Sequence, residues 1–240
     1  MNKKEIFKYF STIIDELIDM DDFFKYFFQN PYAISDLDFF DDNLHFVTGC
    51  ARGCLVDKNY PYVVKFNLVD STSGEFYNHC EREVDIYTSA MQDSLESCFI
   101  ESTYVGTYRK KINYYRAEDL EDFLPTYQEE YISEIEKYYD EDCLELEEIE
   151  LIIPLFAYEK AEPISLESVV SSEVAKTYTS PLNEYYNEIA EKIIEDYGEI
   201  FFYKLSDFLY AYEVCDIHKG NVMLLNNKIV LSDYAGFPSY

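Results

Sequence analysis

The chain reads YEVCDIHKGNVMLLNNKIVLSD over residues 212–233, and this stretch predicts a loop followed by a tight β-hairpin. Two short apolar runs flank an Asn-Asn pair, and asparagine tolerates the positive φ angles that two-residue hairpin turns demand. A two-stranded ribbon brings its far ends together. We therefore expect the side chains of Asp216, Asn221 and Asp233 to meet in one place.

These three side chains allow two interpretations. Carboxylate and amide oxygens arranged in this way can position an attacking hydroxyl and hold Mg²⁺ on nucleotide phosphates. An ordinary hairpin with solvated polar ends fits the same residues. A phosphate-binding lysine at the right place upstream would favour the first interpretation.

Length and composition indicate a folded globule. The chain has 240 residues, of which 48% are hydrophobic and 18% aromatic, enough for one large domain or two small lobes. No apolar run approaches the roughly 20 residues of a membrane-spanning helix. Lys3 and Lys4 precede an apolar stretch that faintly resembles a signal sequence, but Asp15, Glu16 and Asp19 interrupt it. We expect a cytoplasmic protein.

The chain is strongly acidic, with a formal net charge of −29. Such a surface repels nucleic-acid backbones and membranes and favours basic partners. A dense carboxylate surface can also imitate the phosphate charge of DNA, which leaves an acidic binding protein as an alternative function.

The six cysteines are scattered without the spacing of a disulfide framework, which predicts reduced thiols. Cys50, Cys54, His79 and Cys80 can be imagined as a zinc site. Their spacing fits no standard zinc finger, and buried free thiols are the commoner outcome.

The first 44 residues are predicted to be helical, because Ile6, Phe10, Ile14 and Leu17 recur on one face. A second, aromatic-rich helix is predicted over residues 22–29. This helical layer is expected to pack on the rest of the domain.

Short strands are predicted from His45 onward. They run over residues 45–48, 54–56 and 62–66, with a turn at residues 49–53. The glycines of that turn, Gly49 and Gly53, would let backbone N–H groups approach a phosphate. Lys65 interrupts an apolar strand, so its amine must reach solvent or meet an anion.

A helix over residues 73–91 follows, and its Glu83 can point inward beside Lys65, whereas Glu81 and Asp85 are alternatives. A strand is predicted at 99–108, and an acidic, tyrosine-rich insertion at 109–150. A buried strand at 151–158 leads into a linker at 159–163. Two further helices are predicted at 182–196 and 198–212, and the second delivers the chain to Asp216.

In this order the elements resemble a protein kinase over residues 45–236. More narrowly, the chain resembles the small early serine/threonine protein kinases of podovirus-type bacteriophages. The closer likeness is carried by residues 73–82 (SGEFYNHCER), residues 216–223 (DIHKGNVM) and the end of the chain soon after Asp233.

The resemblance implies a role for each candidate residue. Lys65 would contact the α- and β-phosphates of ATP and Glu83 would orient it, with Gly49 and Gly53 close to the phosphates. Glu159 and Ala161 would lie at the adenine-binding hinge. Asp216 would position the acceptor hydroxyl, with His218 near the γ-phosphate or in a structural hydrogen bond. Asn221 and Asp233 would bind Mg²⁺.

Three departures from the kinase pattern stand out. Val214-Cys215 replaces the His-Arg pair before the catalytic Asp, so the arginine that reads activation-loop phosphorylation is missing. Tyr234-Ala235 replaces Phe-Gly after Asp233. Seven residues follow Asp233, which leaves no room for an activation segment and implies a constitutive enzyme.

We therefore expect an α+β, protein-kinase-like two-lobe fold. Residues 1–44 would form an added helical segment. Residues 45–162 would form an N-lobe with a five-stranded antiparallel sheet and the insertion. Residues 163–240 would form a reduced, mostly helical C-lobe without the activation segment and later helices.

The expected function is an ATP- and Mg²⁺-dependent phage-type kinase that phosphorylates Ser, Thr or Tyr of basic host proteins, without binding nucleic acid or membranes. One alternative is a kinase-like scaffold without useful turnover that inhibits a basic host nucleic-acid enzyme or defence factor by resembling DNA. A small-molecule phosphotransferase would use the same residues.

Overall fold

A computed structural model of the chain describes residues 2–18, 40–48, 52–67, 79–112, 149–164, 187–214, 217 and 219–235. The predicted helix at 22–29 and most of the acidic insertion lie outside these residues. So do three candidate site residues, Gly49, Asp216 and His218.

The described residues form a mixed α+β structure. Its four α-helices are α1 (Lys3–Ile18), α2 (His79–Gln92), α3 (Asn187–Tyr197) and α4 (Glu199–Ala211). Its eight strands are β1 (Leu44–Thr48), β2 (Arg52–Asp57), β3 (Tyr62–Asn67), β4 (Thr103–Ile112), β5 (Ile149–Glu159), β6 (Glu162–Pro163), β7 (Val222–Leu225) and β8 (Lys228–Leu231). Single 3₁₀ turns lie at Glu96–Cys98 and Lys219–Asn221.

Five strands form one antiparallel sheet in the order β1-β2-β3-β5-β4, which confirms the predicted five-stranded sheet. Three others form a small sheet in the order β6-β7-β8. The described residues fall into two compact units. Unit 1 comprises residues 1–78 and 103–157, and unit 2 comprises residues 79–102 and 158–240. The division at residues 44 and 162 stays a prediction.

Two predicted segments had wrong boundaries. The strand expected at 99–108 begins at Thr103 and runs to Ile112, because the residues before it join unit 2. There Phe99 forms an isolated bridge with Leu231, and the Ile100 N–H donates to the Leu231 carbonyl at 3.0 Å. The insertion expected at 109–150 is shorter at both ends, because its first and last residues belong to strands. Lys111 and Ile112 at the end of β4 pair with Glu150 and Ile149 at the start of β5.

In unit 1, α1 packs on the sheet against β4. Its buried side chains recur at helical spacing, as predicted: Ile6, Phe10, Ile14, Leu17 and Ile18. An apolar stripe of this kind is stable only when it is covered. Phe7 lies over Gly106, where a Cβ atom would come within 2.5 Å of the phenyl ring.

Polar contacts fix the register of α1 on the sheet. The Tyr9 hydroxyl donates to the Asp57 carboxylate, and this contact raises the pKa of Tyr9 to about 12. The Tyr108 hydroxyl donates to Asp15 at 2.6 Å, and the Lys110 ammonium lies 3.0 Å from the same carboxylate. These contacts, that of Tyr108 first, hold the pKa of Asp15 below its usual range.

Unit 2 has its own core, built from α2, α3, α4 and the β7–β8 hairpin. Its most buried side chains are Ala90, Leu95, Cys98, Ile189, Ile193, Phe202, Leu205, Leu209, Val214, Ile229, Leu231 and Tyr234. The Tyr197 hydroxyl donates to the carbonyls of Ser97 and Ile229, and Asp196 accepts from the Ile229 N–H at 2.8 Å. α3 is thereby tied to the hairpin.

The predicted hairpin is confirmed. β7 and β8 pair in the register Val222↔Leu231 to Leu225↔Lys228. Asn226 and Asn227 form the two-residue turn with φ angles of 53° and 62°. Positive φ at both central residues is the signature of a type I′ turn, and asparagine adopts it at low cost.

None of the described helices is long and apolar enough to cross a membrane. Three of the six cysteines lie in the described ranges, and Cys54, Cys80 and Cys98 are all free thiols. Burial raises the pKa of the Cys98 thiol, which keeps it protonated and unreactive.

Candidate functional site

The open end of the β7–β8 hairpin brings together the two predicted metal ligands. Asn221 immediately precedes β7 and Asp233 follows β8 by two residues. The Ser232 N–H donates to the Asn221 carbonyl at 2.8 Å, which extends the ladder beyond the Val222↔Leu231 pair. Both candidate ligands therefore lie at the same end of the hairpin in unit 2.

The backbone and burial of these residues are unusual for a solvated hairpin end. Asn221 is only 7% exposed, and the Oδ1 atom of Asp233 is inaccessible to solvent. Asp233 has a φ angle of 57°, a left-handed conformation that few non-glycine residues adopt outside turns and functional sites. This geometry disfavours the interpretation as a hairpin with freely solvated polar ends.

The residue after Asp233 locks this end of the hairpin in place. Tyr234 is 1% exposed, and its hydroxyl donates to the Ile100 carbonyl at 2.8 Å. Its ring packs edge-to-face on Phe99, with 5.0 Å between centroids. Tyr234 is therefore an anchor of the unit 2 core.

Glu83 lies on α2 with its side chain completely buried. The Tyr158 hydroxyl donates to Glu83 Oε2 at 2.6 Å, and the Ser102 hydroxyl donates to the Tyr158 oxygen at 2.9 Å. Because burying a carboxyl group is costly unless it is hydrogen-bonded, the hydrogen bond from Tyr158, which is itself held by Ser102, helps the core to accept it. Burial distinguishes Glu83 from Glu81 and Asp85, which are exposed.

The neighbouring Arg82 connects α2 to the segment that leads to Asp216. Its guanidinium donates to the carbonyls of Tyr212 and Glu213, at 2.9 and 3.3 Å. Tyr212 caps the C-terminus of α4, and Glu213 turns the chain with a φ angle of 53°. Carbonyls at a helix C-terminus lack intrahelical hydrogen-bond donors. Arg82, which lies on another helix, supplies the missing donors.

The predicted hinge residues also belong to unit 2. Glu159 ends β5 with an exposed side chain, and Ala161 is partly exposed. The chain then pairs with the hairpin, in the register Glu162↔Leu224 and Pro163↔Met223. The linker after β5 therefore lies beside β7.

Lys65 lies on β3 in unit 1. The strand alternates, so Val64 and Phe66 are buried on one face of the sheet, at 0% and 1% exposure, while the partly exposed Lys65 points to the other face. The lysine thus does not interrupt a strand buried on both sides. It stands on the face opposite to the apolar core of β3.

The position predicted for Gly53 was wrong. Gly53 does not belong to the turn, because β2 begins at Arg52 and pairs Gly53 with Thr48 and Phe66. A Cβ atom at residue 53 would come within 2.5 Å of the Phe46 ring and 3.2 Å of the Phe66 ring. Aromatic packing is therefore a sufficient reason for glycine at this position.

Gly53→Ala is expected to lower the free energy of unfolding by about 1–3 kcal/mol, because the added methyl group overpacks the core of unit 1. Urea denaturation followed by circular dichroism measures this loss. Phe46→Leu makes room for the methyl group, so the double variant should be more stable than the sum of the two single effects predicts. Strict additivity would contradict the packing explanation.

The candidate residues are thus divided between the units. Lys65 and Gly53 belong to unit 1. Glu83, Glu159, Ala161, Asn221 and Asp233 belong to unit 2. The expected convergence of the lysine amine with the oxygen donors stays a prediction, as do the roles of Gly49, Asp216 and His218.

Sequence reasoning missed Tyr158, Ser102 and Arg82. The sequence pattern places Tyr158 only in an apolar strand, although a buried tyrosine hydroxyl regularly needs a polar partner and Glu83 is expected to point inward. The contact of Arg82 had no signal in the sequence, because its partners are backbone carbonyls 130 and 131 residues away.

The donor set at the hairpin fits Mg²⁺ better than zinc. Asn221 and Asp233 offer oxygen atoms, and Mg²⁺ is usually held by one or two carboxylates together with phosphate and water. Among the described residues there is no group of three or more His, Cys, Asp or Glu side chains that could hold a metal ion. Of the imagined zinc ligands, Cys54 belongs to unit 1, whereas His79 and Cys80 belong to unit 2.

The chain was also compared with protein-family models, with curated proteins and with solved structures, and none of these comparisons found a match.

Proposed function

We propose that this chain is a protein-kinase-like phosphotransferase of the compact phage type, which transfers the γ-phosphate of Mg·ATP to a hydroxyl group of a basic host protein. The observation that carries the proposal is the end of the β7–β8 hairpin, where a buried Asn221 and a left-handed Asp233 stand together. A kinase-like site needs two oxygen ligands for magnesium at this point.

The order of the other elements supports the same assignment. A strand with Lys65 is followed by a helix with an inward carboxyl group, Glu83, and then by two more strands of an antiparallel five-stranded sheet. A linker, two helices and the hairpin complete the series. Each single element is common, whereas the whole sequence of elements is much more specific.

In the proposed reaction, magnesium would neutralise charge on the nucleotide phosphates and would be held by Asn221 and Asp233. Lys65 would bind the α- and β-phosphates and Glu83 would orient its amine. Asp216 would align the acceptor hydroxyl and take its proton, while the hydroxyl oxygen attacks the γ-phosphorus. The bond between the γ-phosphorus and the bridging oxygen would break, and ADP would leave with that oxygen. Positioning and charge neutralisation then supply most of the rate.

Regulation would differ from that of kinases with a phosphorylated activation loop. Val214-Cys215 stands where the His-Arg pair would be, so no arginine precedes Asp216 to read such a phosphate. Arg82 instead holds the carbonyls of Tyr212 and Glu213 from α2. This contact requires no phosphate group, which fits an enzyme that is active without a phosphorylation switch.

The net charge of −29 favours a second candidate, an acidic inhibitor that binds a basic host nucleic-acid enzyme. Such an inhibitor would bind its target through its charged surface. Its affinity would then survive Lys65→Ala and Asp233→Ala and would fall steeply with added salt.

The test is the transfer of γ-labelled phosphate from Mg·ATP to a basic acceptor protein. We expect incorporation with the wild-type chain, none above background with Asp216→Asn or Lys65→Ala, and wild-type incorporation with Lys204→Ala, which removes an exposed ammonium of α4. Equal labelling by wild type and Asp216→Asn would refute the role of Asp216. No labelling by wild type, with salt-sensitive binding to the basic protein, would favour the inhibitor.

A further inference from the structure

Three buried side chains of unit 2 form a line of hydrogen bonds that ends on Glu83. The Ser102 Oγ lies 2.9 Å from the Tyr158 oxygen, which lies 2.6 Å from Glu83 Oε2. The three residues are 4%, 3% and 0% exposed. Nothing in the sequence pattern brought these residues together.

The donors and acceptors along this line are determined by the chemistry of the groups. A phenol has one proton to donate, and its oxygen can also accept a hydrogen bond. Ser102 donates to that oxygen, so the Tyr158 proton is directed to Glu83, and Glu83 Oε2 is an acceptor. The tyrosine therefore holds one carboxyl oxygen of Glu83 in a fixed direction.

Both ends of this contact lie next to residues that the proposed function involves. Tyr158 is next to Glu159, at the start of the proposed hinge, and Glu83 is next to Arg82, which binds the segment before Asp216. Two consecutive residues of α2 are thus held in place. Glu83 accepts a hydrogen bond from Tyr158 on β5, and Arg82 donates to the carbonyls at the end of α4. A phenyl ring would fill the same space, but it could not direct the carboxyl group.

We propose that Tyr158, itself oriented by Ser102, is a positioning residue that sets the direction of the Glu83 carboxyl group for phosphate transfer. The inference rests on the proposed function. Tyr158 contacts neither the phosphates nor the acceptor in this scheme, and it acts only through Glu83.

Tyr158→Phe is the direct test, because it removes one hydroxyl and keeps the ring. Removing the hydroxyl that directs this buried carboxyl oxygen predicts about a tenfold fall in kcat, with the KM for ATP within about twofold of wild type. Ser102→Ala should cause a smaller fall in the same parameter. Tyr197→Phe is the matched control, since that hydroxyl donates only to backbone carbonyls of the same unit, and we expect its kcat to equal that of wild type.

A double-mutant cycle separates positioning from general loss of stability. If Tyr158 acts through Glu83, Tyr158→Phe should change kcat less than twofold in a Glu83→Gln background, measured at a temperature where every variant is folded. Independent tenfold effects in the two backgrounds, or a wild-type kcat for Tyr158→Phe, would overturn the inference and leave the proposed function standing. A wild-type chain without transfer activity would overturn both.

Discussion

Asp233→Asn is expected to lower Mg·ATP-dependent phosphate transfer by about a hundredfold to a thousandfold. The substitution keeps the size of the side chain and removes its negative charge, which in the proposed mechanism is the main attraction for magnesium at the hairpin. A metal ion contributes several kcal/mol of transition-state stabilisation to phosphoryl transfer, and about 1.4 kcal/mol corresponds to a factor of ten in rate. A single-turnover assay with γ-labelled ATP measures the loss.

Asp93→Asn is the matched control for this prediction. Asp93 follows α2 in the same unit and its side chain is exposed, so the same chemical change should leave the rate unaltered. Raising the magnesium concentration should partly restore the transfer activity of Asp233→Asn, because this variant binds the metal less tightly but does not exclude it. Transfer by Asp233→Asn at the wild-type rate would show that this carboxylate does not hold the metal.

Tyr234→Ala is expected to destabilise unit 2 by about 3–5 kcal/mol, the usual cost of removing a large buried aromatic side chain. The ring is 1% exposed and packs on Phe99, and the hydroxyl donates to Ile100. Tyr234→Phe keeps the ring and should cost only about 1–2 kcal/mol, for the hydrogen bond that is lost. The two variants therefore separate packing from hydrogen bonding.

Amide hydrogen exchange can assign this loss to the correct unit. We expect faster exchange at the amides of β7, β8 and Ile100 in Tyr234→Ala, and unchanged exchange at β1, β2 and β3, which belong to unit 1. A change of less than 1 kcal/mol, or faster exchange in unit 1 alone, would mean that Tyr234 is not the anchor of the hairpin.

The local features of the fold were predictable because they depend on short-range patterns. The helical spacing of Ile6, Phe10 and Ile14 predicted α1. The Asn-Asn pair between two apolar runs predicted the hairpin and its turn. In both cases the residues that decide the structure lie close together in the sequence.

The predictions that were wrong concern features that depend on contacts with other strands. The exclusion of a side chain at Gly53 comes from the rings of Phe46 and Phe66 on neighbouring strands. β4 begins late because Ile100 pairs with Leu231, 131 residues along the chain. The sequence order of these residues does not indicate which of them meet.

In the candidate site, too, contacts between near neighbours in the sequence were predictable and long-range contacts were not. Asn221 and Asp233 were predictable neighbours because a hairpin of known register joins them. The inward direction of Glu83 followed from helical spacing, and burial then selected it over Glu81 and Asp85. Its partner Tyr158 was not predictable, because that contact requires β5 and α2 to meet across 75 residues.

Calorimetric titration of ATP into the wild-type chain and into Asp233→Asn, each with and without Mg²⁺, tests the central claim most directly. We predict saturable binding by wild type that strengthens at least tenfold when Mg²⁺ is present, and a much smaller strengthening in Asp233→Asn at the same Mg²⁺ concentration. At a hundredfold excess over Kd, such binding would also stabilise the wild-type fold by about 2.7 kcal/mol. The absence of saturable ATP binding by the wild-type chain, or an equal effect of Mg²⁺ on both chains, would contradict a metal-dependent nucleotide site at the hairpin.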